Sequence, residues 1–349
     1  MNIIVKNLEV RGFRGFKEAC LDDFVGINIL VGRNATGKST ILEALYLAFS
    51  LDKGLEFIVK RRGWFGLASV DSLIYGGYKE AKITVGFSDG KQESITIKPG
   101  IPISHHLQVL ESRGLDLKHL YTLDLIAQGK IHGTAKFYVD VEGRTDSLIG
   151  SEEMRKIVHN AVFIDWNVVL EYGRPEEAYT YMTREGGAKA KEIIVKSLQK
   201  LYAEIVDIEP LKVYDEWVLH LIYKDKAIPY YVVGDGIRYA LTYLMIISAC
   251  RSSVLLLEEP ELHMHPGLME LIAAAIVGAY GEQGNQIFLS THSLELIDMI
   301  IEEAKKIGLK DNELKIYRLT LKEGKLYSEA YSLNEAIEAR KKLEWDLRS

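Results

Sequence analysis

An apolar run at residues 27–31, interrupted only by Asn28, leads straight into a glycine-containing stretch. Beyond that stretch Ile41, Leu42, Leu45, Ala48 and Phe49 recur at helical spacing. The first pattern predicts a buried strand and the second an amphipathic helix, so strand, loop and helix follow one another over 27–50. Ahead of them, residues 3–10 and 13–20 read as strands joined at Arg11-Gly12. Residues 82–87 and 94–98 alternate like antiparallel strands split by the turn Asp89-Gly90. The stretch 100–215 is less regular. It shows one alternating strand at 135–141, a helix from Ser151, and a long helical stretch from about 176 to 204 broken at Gly186-Gly187. Residues 218–223 and 228–233 read as strands. From Gly234 the pattern becomes helix, strand (254–257), helix (267–280), strand (287–290) and helix (294–304), with two strands and a short helix at the end. Strands alternating with helices predict a parallel sheet covered by helices. No fixed-period repeat occurs, and no heptad pattern lasts long enough for a long coiled coil.

Composition narrows the class. A chain of 349 residues predicts more than one lobe, and 48% hydrophobic with 26% charged residues can build a full core. The divisions read from the pattern are 1–100, 101–215 and 216–349. The most apolar run, 239–250, is too short to cross a bilayer and is flanked by Arg238 and Arg251. No secretory leader pattern stands at Met1, and Cys20 and Cys250 form no disulfide framework. These features predict a cytoplasmic protein without a membrane partner. A net charge of −6 provides no global basic field for nucleic acid, so DNA binding would need a local basic groove.

The chemistry begins in the loop. Gly32-Arg33-Asn34-Ala35-Thr36-Gly37-Lys38-Ser39-Thr40 matches the phosphate-cradling pattern G-x-x-x-x-G-K-[ST], in the strand-to-helix context that pattern requires. Backbone N–H groups and the positive end of the helix would bind phosphate oxygens. Lys38 would reach the β- and γ-phosphates, and the Ser39 hydroxyl would ligate Mg²⁺. The strand at 254–257 ends in Glu258-Glu259, a Walker B arrangement. Its first acid would hold the Mg²⁺ water shell and its second would polarise the attacking water; two acids capping the next helix is the competing account. The strand at 287–290 ends near His292, a γ-phosphate sensor or a simple cap. Gly234-Asp235-Gly236 with Arg238 opens a helix and forms either an anion-binding turn or an N-cap. His263-Met264-His265 beside Glu258, Glu259 and Glu261 has ligand types that suit zinc. Lys60-Arg61-Arg62-Gly63-Trp64 reads as a solvated helix end or as a contact for a phosphate backbone.

Taken in order, "VRGFRGF", "INILVGRNATGKST", "GDGIR", "LLLEEPELHMHP" and "LSTHS" resemble the ABC-type ATPases of the SMC, RecF and OLD group. The resemblance covers about 1–50 and 228–300 and leaves 100–215 mostly unmatched. It implies an α/β P-loop NTPase: an ABC-ATPase head with an antiparallel β lobe, a mixed-sheet α/β lobe and an inserted α+β segment. It further implies ATP and Mg²⁺ as ligands, Glu259 as catalytic carboxylate and His292 as switch histidine. Gly234, Asp235 and Gly236 become the signature that completes the ATP site of a second copy in a nucleotide-dependent homodimer, supported by Arg238. The segment 263–265 becomes the loop lining that dimer interface; the Q-loop is not identifiable, with 165–167, after the apolar run 161–164, as a candidate. Three positions depart from the family pattern: Glu258 stands for the usual Asp, Gly234 for the usual Ser, and Ala35-Thr36 where Gly and Ser are frequent. The expected role is an ATPase in DNA repair, chromosome maintenance or phage defence, with DNA and a nuclease or other effector protein as candidate partners. A slow nucleotide-gated interaction module and a transporter subunit are the alternatives. With the chain ending at Ser349, no toprim-like nuclease is expected after His292.

Overall fold

The computed structural model describes residues 5–129, 132–149, 161–166 and 175–343, with side chains as far as Arg340. The chain begins β1 (Val5–Phe13), β2 (Phe16–Leu21), β3 (Ile27–Val31), α1 (Lys38–Arg61), α2 (Leu67–Asp71), β4 (Ala81–Phe87) and β5 (Gln92–Pro99). It continues α3 (Ser104–Ser112), β6 (Tyr121–Gln128), β7 (Gly133–Val139), β8 (Thr145–Ile149), β9 (Ala161–Ile164), α4 (Pro175–Gln199), β10 (Ile205–Val213), β11 (Glu216–Tyr223) and β12 (Ala227–Pro229). The last third is α5 (Asp235–Ala249), β13 (Val254–Glu258), α6 (Pro266–Gly281), β14 (Gln286–Ser290), α7 (Leu294–Lys306), β15 (Leu314–Lys322), β16 (Lys325–Ser332) and α8 (Leu333–Leu343).

One 13-stranded sheet organises the molecule, in the order β8-β7-β6-β5-β4-β1-β2-β16-β15-β3-β14-β13-β9. Strands β15, β3, β14, β13 and β9 run parallel, whereas β1, β2 and β4 to β8 pair antiparallel. The central strands β3, β13 and β14 are buried along their whole length and mostly apolar because both faces are covered. Side chains alternate between those faces. Ile27, Ile29, Leu255, Leu257, Ile287 and Leu289 join the core built with α5, α6 and α7, whereas Leu30, Leu256 and Phe288 join the core built with α1.

Several sequence expectations change. The first hairpin turns at Arg14-Gly15, not Arg11-Gly12, because buried Phe13 and Phe16 pair across the turn. Gly12 lies inside β1 with φ 66, where a Cβ would come 2.6 Å from the Glu80 carbonyl. The irregular 101–149 stretch holds β6, β7 and β8, which extend the antiparallel part of the same sheet, so the sheet runs through the boundary placed at residue 100. The helical stretch ends at Gln199 and is followed by β10; its break is real, at Gly187 with φ 66. Of the strand expected at 228–233, only residues 228 and 229 pair in a sheet, as part of β12. Tyr230 then turns inward, and its hydroxyl donates to the Arg238 carbonyl at 2.9 Å. The helix expected from Ser151 lies outside the described residues.

Helix α1 is two limbs. Leu51, at φ 49 and ψ −118, interrupts it. A straight helix would separate Glu43 from Arg61 by about 27 Å, yet their side chains are ion-paired at 2.5 Å. The limbs 38–50 and 52–61 therefore fold back on each other. Gly54 makes room for this: a Cβ there would stand 2.9 Å from the Leu47 Cα.

Candidate functional site

The loop between β3 and α1 is held by close packing. Gly37 has φ 94, and a Cβ on it would collide with the Phe16 ring; Gly32 has φ 144 and lies against the Leu319 carbonyl. Both glycines are required by space and by backbone angle together. Arg33, Asn34 and Ala35 are exposed, Thr36 is half-buried, and Lys38 and Thr40 are buried. Thr36 Oγ1 donates to the Arg33 carbonyl at 2.9 Å. Ala35 adopts φ 62, a left-handed angle that explains why glycine is frequent at this place. Lys38 Nζ donates to the carbonyls of Gly32 at 2.9 Å and Arg33 at 3.1 Å, inside the ring the loop forms. Burial pulls its ammonium below the ordinary lysine range, against the opposing pull of Glu259 and Glu261.

The carboxylates arrive on neighbouring strand ends. Alternation along β13 turns Glu258 toward the face that α1 covers, and Ser39 Oγ donates to Glu258 Oε1. The Tyr243 hydroxyl donates to the Glu258 backbone carbonyl at 3.3 Å. Glu259 follows with φ 45, a left-handed conformation that costs on the order of 1–3 kcal/mol and is typical of constrained functional positions. Its N–H donates to the Ser290 carbonyl at 2.8 Å, tying it to the end of β14. Its carboxylate lies 3.4 Å from His292 Nε2. Glu261 positions that histidine from below: Oε1 accepts from Thr291 Oγ1 at 2.6 Å and from the His292 N–H at 3.0 Å. Burial pushes the Glu261 carboxyl up, and those hydrogen bonds pull it partly back.

The structure thus brings together Lys38, Ser39, Glu258, Glu259 and His292. The side-chain hydrogen bonds involving Asp235 and Arg238 instead stay within residues 230–242. Arg238 Nη1 reaches Asp235 at 3.0 Å, and the Arg238 carbonyl accepts from Tyr230 and Thr242. Gly234 and Asp235 are exposed, with open space around the Gly234 α-carbon, whereas a Cβ on Gly236 would meet the His263 carbonyl at 2.7 Å.

Two basic and metal readings are corrected. His263 stacks on Tyr239 and His265 Nδ1 caps α6 by accepting from the Gly267 N–H, so the two rings have separate structural uses. Among the described residues no three-membered His/Cys/Asp/Glu cluster suited to a metal is found. Arg61 is neither solvated nor open to a phosphate backbone: its side chain is 5% exposed and paired with Glu43, Asp165 and Glu258. Asp165, in the candidate Q-loop stretch, is one end of that network; Asn167 lies outside the described residues. The role of Arg61 was hidden because only the fold-back at Leu51 brings it inward.

Comparison with known proteins agrees with this geometry. The family described as "AAA ATPase domain" matches residues 3–147, and that described as "AAA domain, putative AbiEii toxin, Type IV TA system" matches residues 189–298. An uncharacterized protein of Methanocaldococcus jannaschii is 24% identical over 225 residues, 62% of this chain and 95% of its own length. An ATP/GTP phosphatase of Helicobacter pylori is 21% identical over 339 residues, 86% of this chain and 89% of its own. The DNA replication and repair protein RecF of Vibrio campbellii is 28% identical over 136 residues, 38% of this chain and 37% of its own. In fold, the Smc head bound to the C-winged helix domain of ScpA superposes with a TM-score of 0.56 at 14% identity, covering 95% of this chain and 99% of that one. Among the described residues no helix is long and apolar enough to cross a membrane. With a phosphate loop, a carboxylate-ended strand and a strand leading to His292, the chain is an AAA-type ATPase that resembles the SMC/RecF/OLD group, and it binds nucleotide and hydrolyses ATP.

Proposed function

We propose that this ATPase is a Mg²⁺-dependent switch in which ATP joins two copies and hydrolysis releases them, serving DNA repair, chromosome maintenance or phage defence. The observation that carries the reading is the exposure of Gly234 and Asp235, with open space around the Gly234 α-carbon that precedes the helix. An element that resembles a signature and faces solvent is available to a second copy's nucleotide. Ser39 and Glu258 offer a hydroxyl and a carboxylate in mutual contact, the hard oxygen donors that suit Mg²⁺. When bound, the cation would supply positive charge to the β- and γ-phosphate oxygens. Lys38 would leave its carbonyl partners for the same oxygens. Glu259 would take a proton from the water that attacks the γ-phosphorus in line, with His292 orienting that carboxylate from 3.4 Å. DNA contact is supported by the RecF relative, whose description names DNA replication and repair, and effector contact by the Smc head bound to ScpA. With net charge −6, DNA binding would depend on basic residues gathered by pairing of two copies and would weaken steeply with salt.

Glu259→Gln tests the assignment. The amide keeps the shape but cannot accept the proton, so hydrolysis should fall on the order of 10²- to 10⁴-fold while ATP binding persists. Light scattering should then show an ATP-dependent dimer that binds DNA at low salt. Wild-type turnover in this variant would move the catalytic role to Glu258. A monomer at saturating ATP would remove the switch.

A further inference from the structure

Two parallel strands end in acids at the same level. Ile164 of β9 pairs in register with Leu257 of β13, so Asp165 and Glu258 leave the sheet side by side, on the face that α1 covers. Both carboxylates are buried, with Asp165 at 0% and the Glu258 side chain at 9% exposure. Side-by-side buried carboxylates repel each other and need a cation. The second limb of α1 provides one. Arg61 Nε pairs with Asp165 Oδ2, Nη2 with Glu258 Oε2, and Nη1 with Glu43 Oε1, while its Cζ lies 5.1 Å from the Phe163 ring centroid. Arg14 and Arg62 add their own pairings to Glu43, so three guanidinium groups balance three carboxylates. The division of labour on Glu258 matters most. Arg61 holds Oε2, and Ser39 meets Oε1.

We propose that Arg61 is a positioning residue of the nucleotide site: anchored by Glu43 and Asp165, it fixes the far oxygen of Glu258 and so presents the near oxygen toward Ser39 and the divalent cation. This rests on the reading of Ser39 and Glu258 as the cation-facing pair. Arg61 touches neither nucleotide nor cation; it acts through Glu258. The planar fork is necessary, because a lysine ammonium cannot address three carboxylates from fixed directions. Without Arg61, repulsion from Asp165 would turn Glu258 away from Ser39.

The test measures Mn²⁺ binding by electron paramagnetic resonance in the presence of a non-hydrolysable ATP analogue, on the full chain, with folding followed by circular dichroism. The variants are Arg61→Met, Arg61→Lys, Glu258→Gln and the double variant Arg61→Met/Glu258→Gln. Loss of a residue that orients a cation ligand typically weakens binding about 10- to 100-fold, and that loss is expected in both Arg61 variants. Arg61→Lys keeps the charge and serves if Arg61→Met does not fold. In the Glu258→Gln background, removing Arg61 should cost nothing further, since the two act as one unit. Unchanged or tighter Mn²⁺ binding in folded Arg61 variants, or additive losses in the double variant, would overturn the proposal while leaving the cation-facing role of Glu258 intact. Wild-type Mn²⁺ binding in Glu258→Gln would overturn that role and the proposal with it.

Discussion

Glu261 shows how burial decides the behaviour of one side chain. Its carboxylate sits beneath the site, accepts from Thr291 and His292, and has its pKa raised chiefly by desolvation. A carboxyl whose folded pKa exceeds its unfolded value contributes stability that is complete below the unfolded pKa and is lost as pH rises through the folded one. Glu261→Gln keeps an acceptor for the same two donors and cannot ionise. Urea unfolding of both proteins between about pH 4 and pH 7 should therefore show the variant gaining on the wild type as pH rises. Parallel pH curves for the two proteins would mean that Glu261 does not titrate as its burial implies.

At the scale of the element, α1 carries more of the site than a phosphate-loop helix needs to. Its first limb presents Lys38 and Ser39, and its second returns Arg61 to the carboxylates on the neighbouring strand ends. The return depends on Leu51 at positive φ and on the missing side chain at Gly54. In an exposed helix Gly→Ala stabilises by about 1 kcal/mol. Here the new methyl would meet the Leu47 Cα at 2.9 Å, and backbone cannot step aside as a flexible side chain can. Overpacking of this kind costs about 1–3 kcal/mol, so the steric term outweighs propensity and Gly54→Ala should destabilise. Equilibrium denaturation reads the sign directly. A stabilised Gly54→Ala protein would show that the limbs are not tightly apposed.

For the whole molecule, the question is whether each nucleotide is completed by a second copy. Gly236 is the wrong position at which to block the signature, since any side chain there strikes the His263 carbonyl of its own chain. Gly234 is the right one: it is exposed, has φ −59, and a Cβ added to it would meet nothing within 4 Å. Lys38→Ala and Gly234→Trp should each give inactive homodimers. In a mixed dimer one site carries both lesions and the other neither, and random exchange makes half the dimers mixed. Mixing should then restore roughly a quarter of wild-type turnover, by two-fold symmetry. No rescue after verified subunit exchange would count against independent composite sites, and full activity in a dilute, monomeric wild-type sample would remove the trans arrangement.

Much of this protein is local in origin and therefore legible along the chain. The phosphate loop, the strand ending in Glu258-Glu259, the strand leading to His292 and the helices between them depend on short-range pattern: apolar runs buried on both faces, helical periodicity, and glycines where the backbone needs positive φ. The strands β6 and β8 were less legible because their apolar alternation is weak and they are held by pairing with neighbours in the sheet, β6 between β5 and β7 and β8 at the edge beside β7. The network of Arg14, Arg61 and Arg62 with Glu43, Asp165 and Glu258 was not legible at all. A basic cluster at a helix end reads as solvated unless the helix is known to fold back, and adjacent acids on β9 and β13 become neighbours only through sheet register. Sequence by itself determined where the phosphate-loop pattern lies and which strands lead into Glu258-Glu259 and His292, because those are matters of residue type and spacing. Tertiary structure alone decided which cation neutralises the carboxylates, because that depends on distances between segments far apart along the chain.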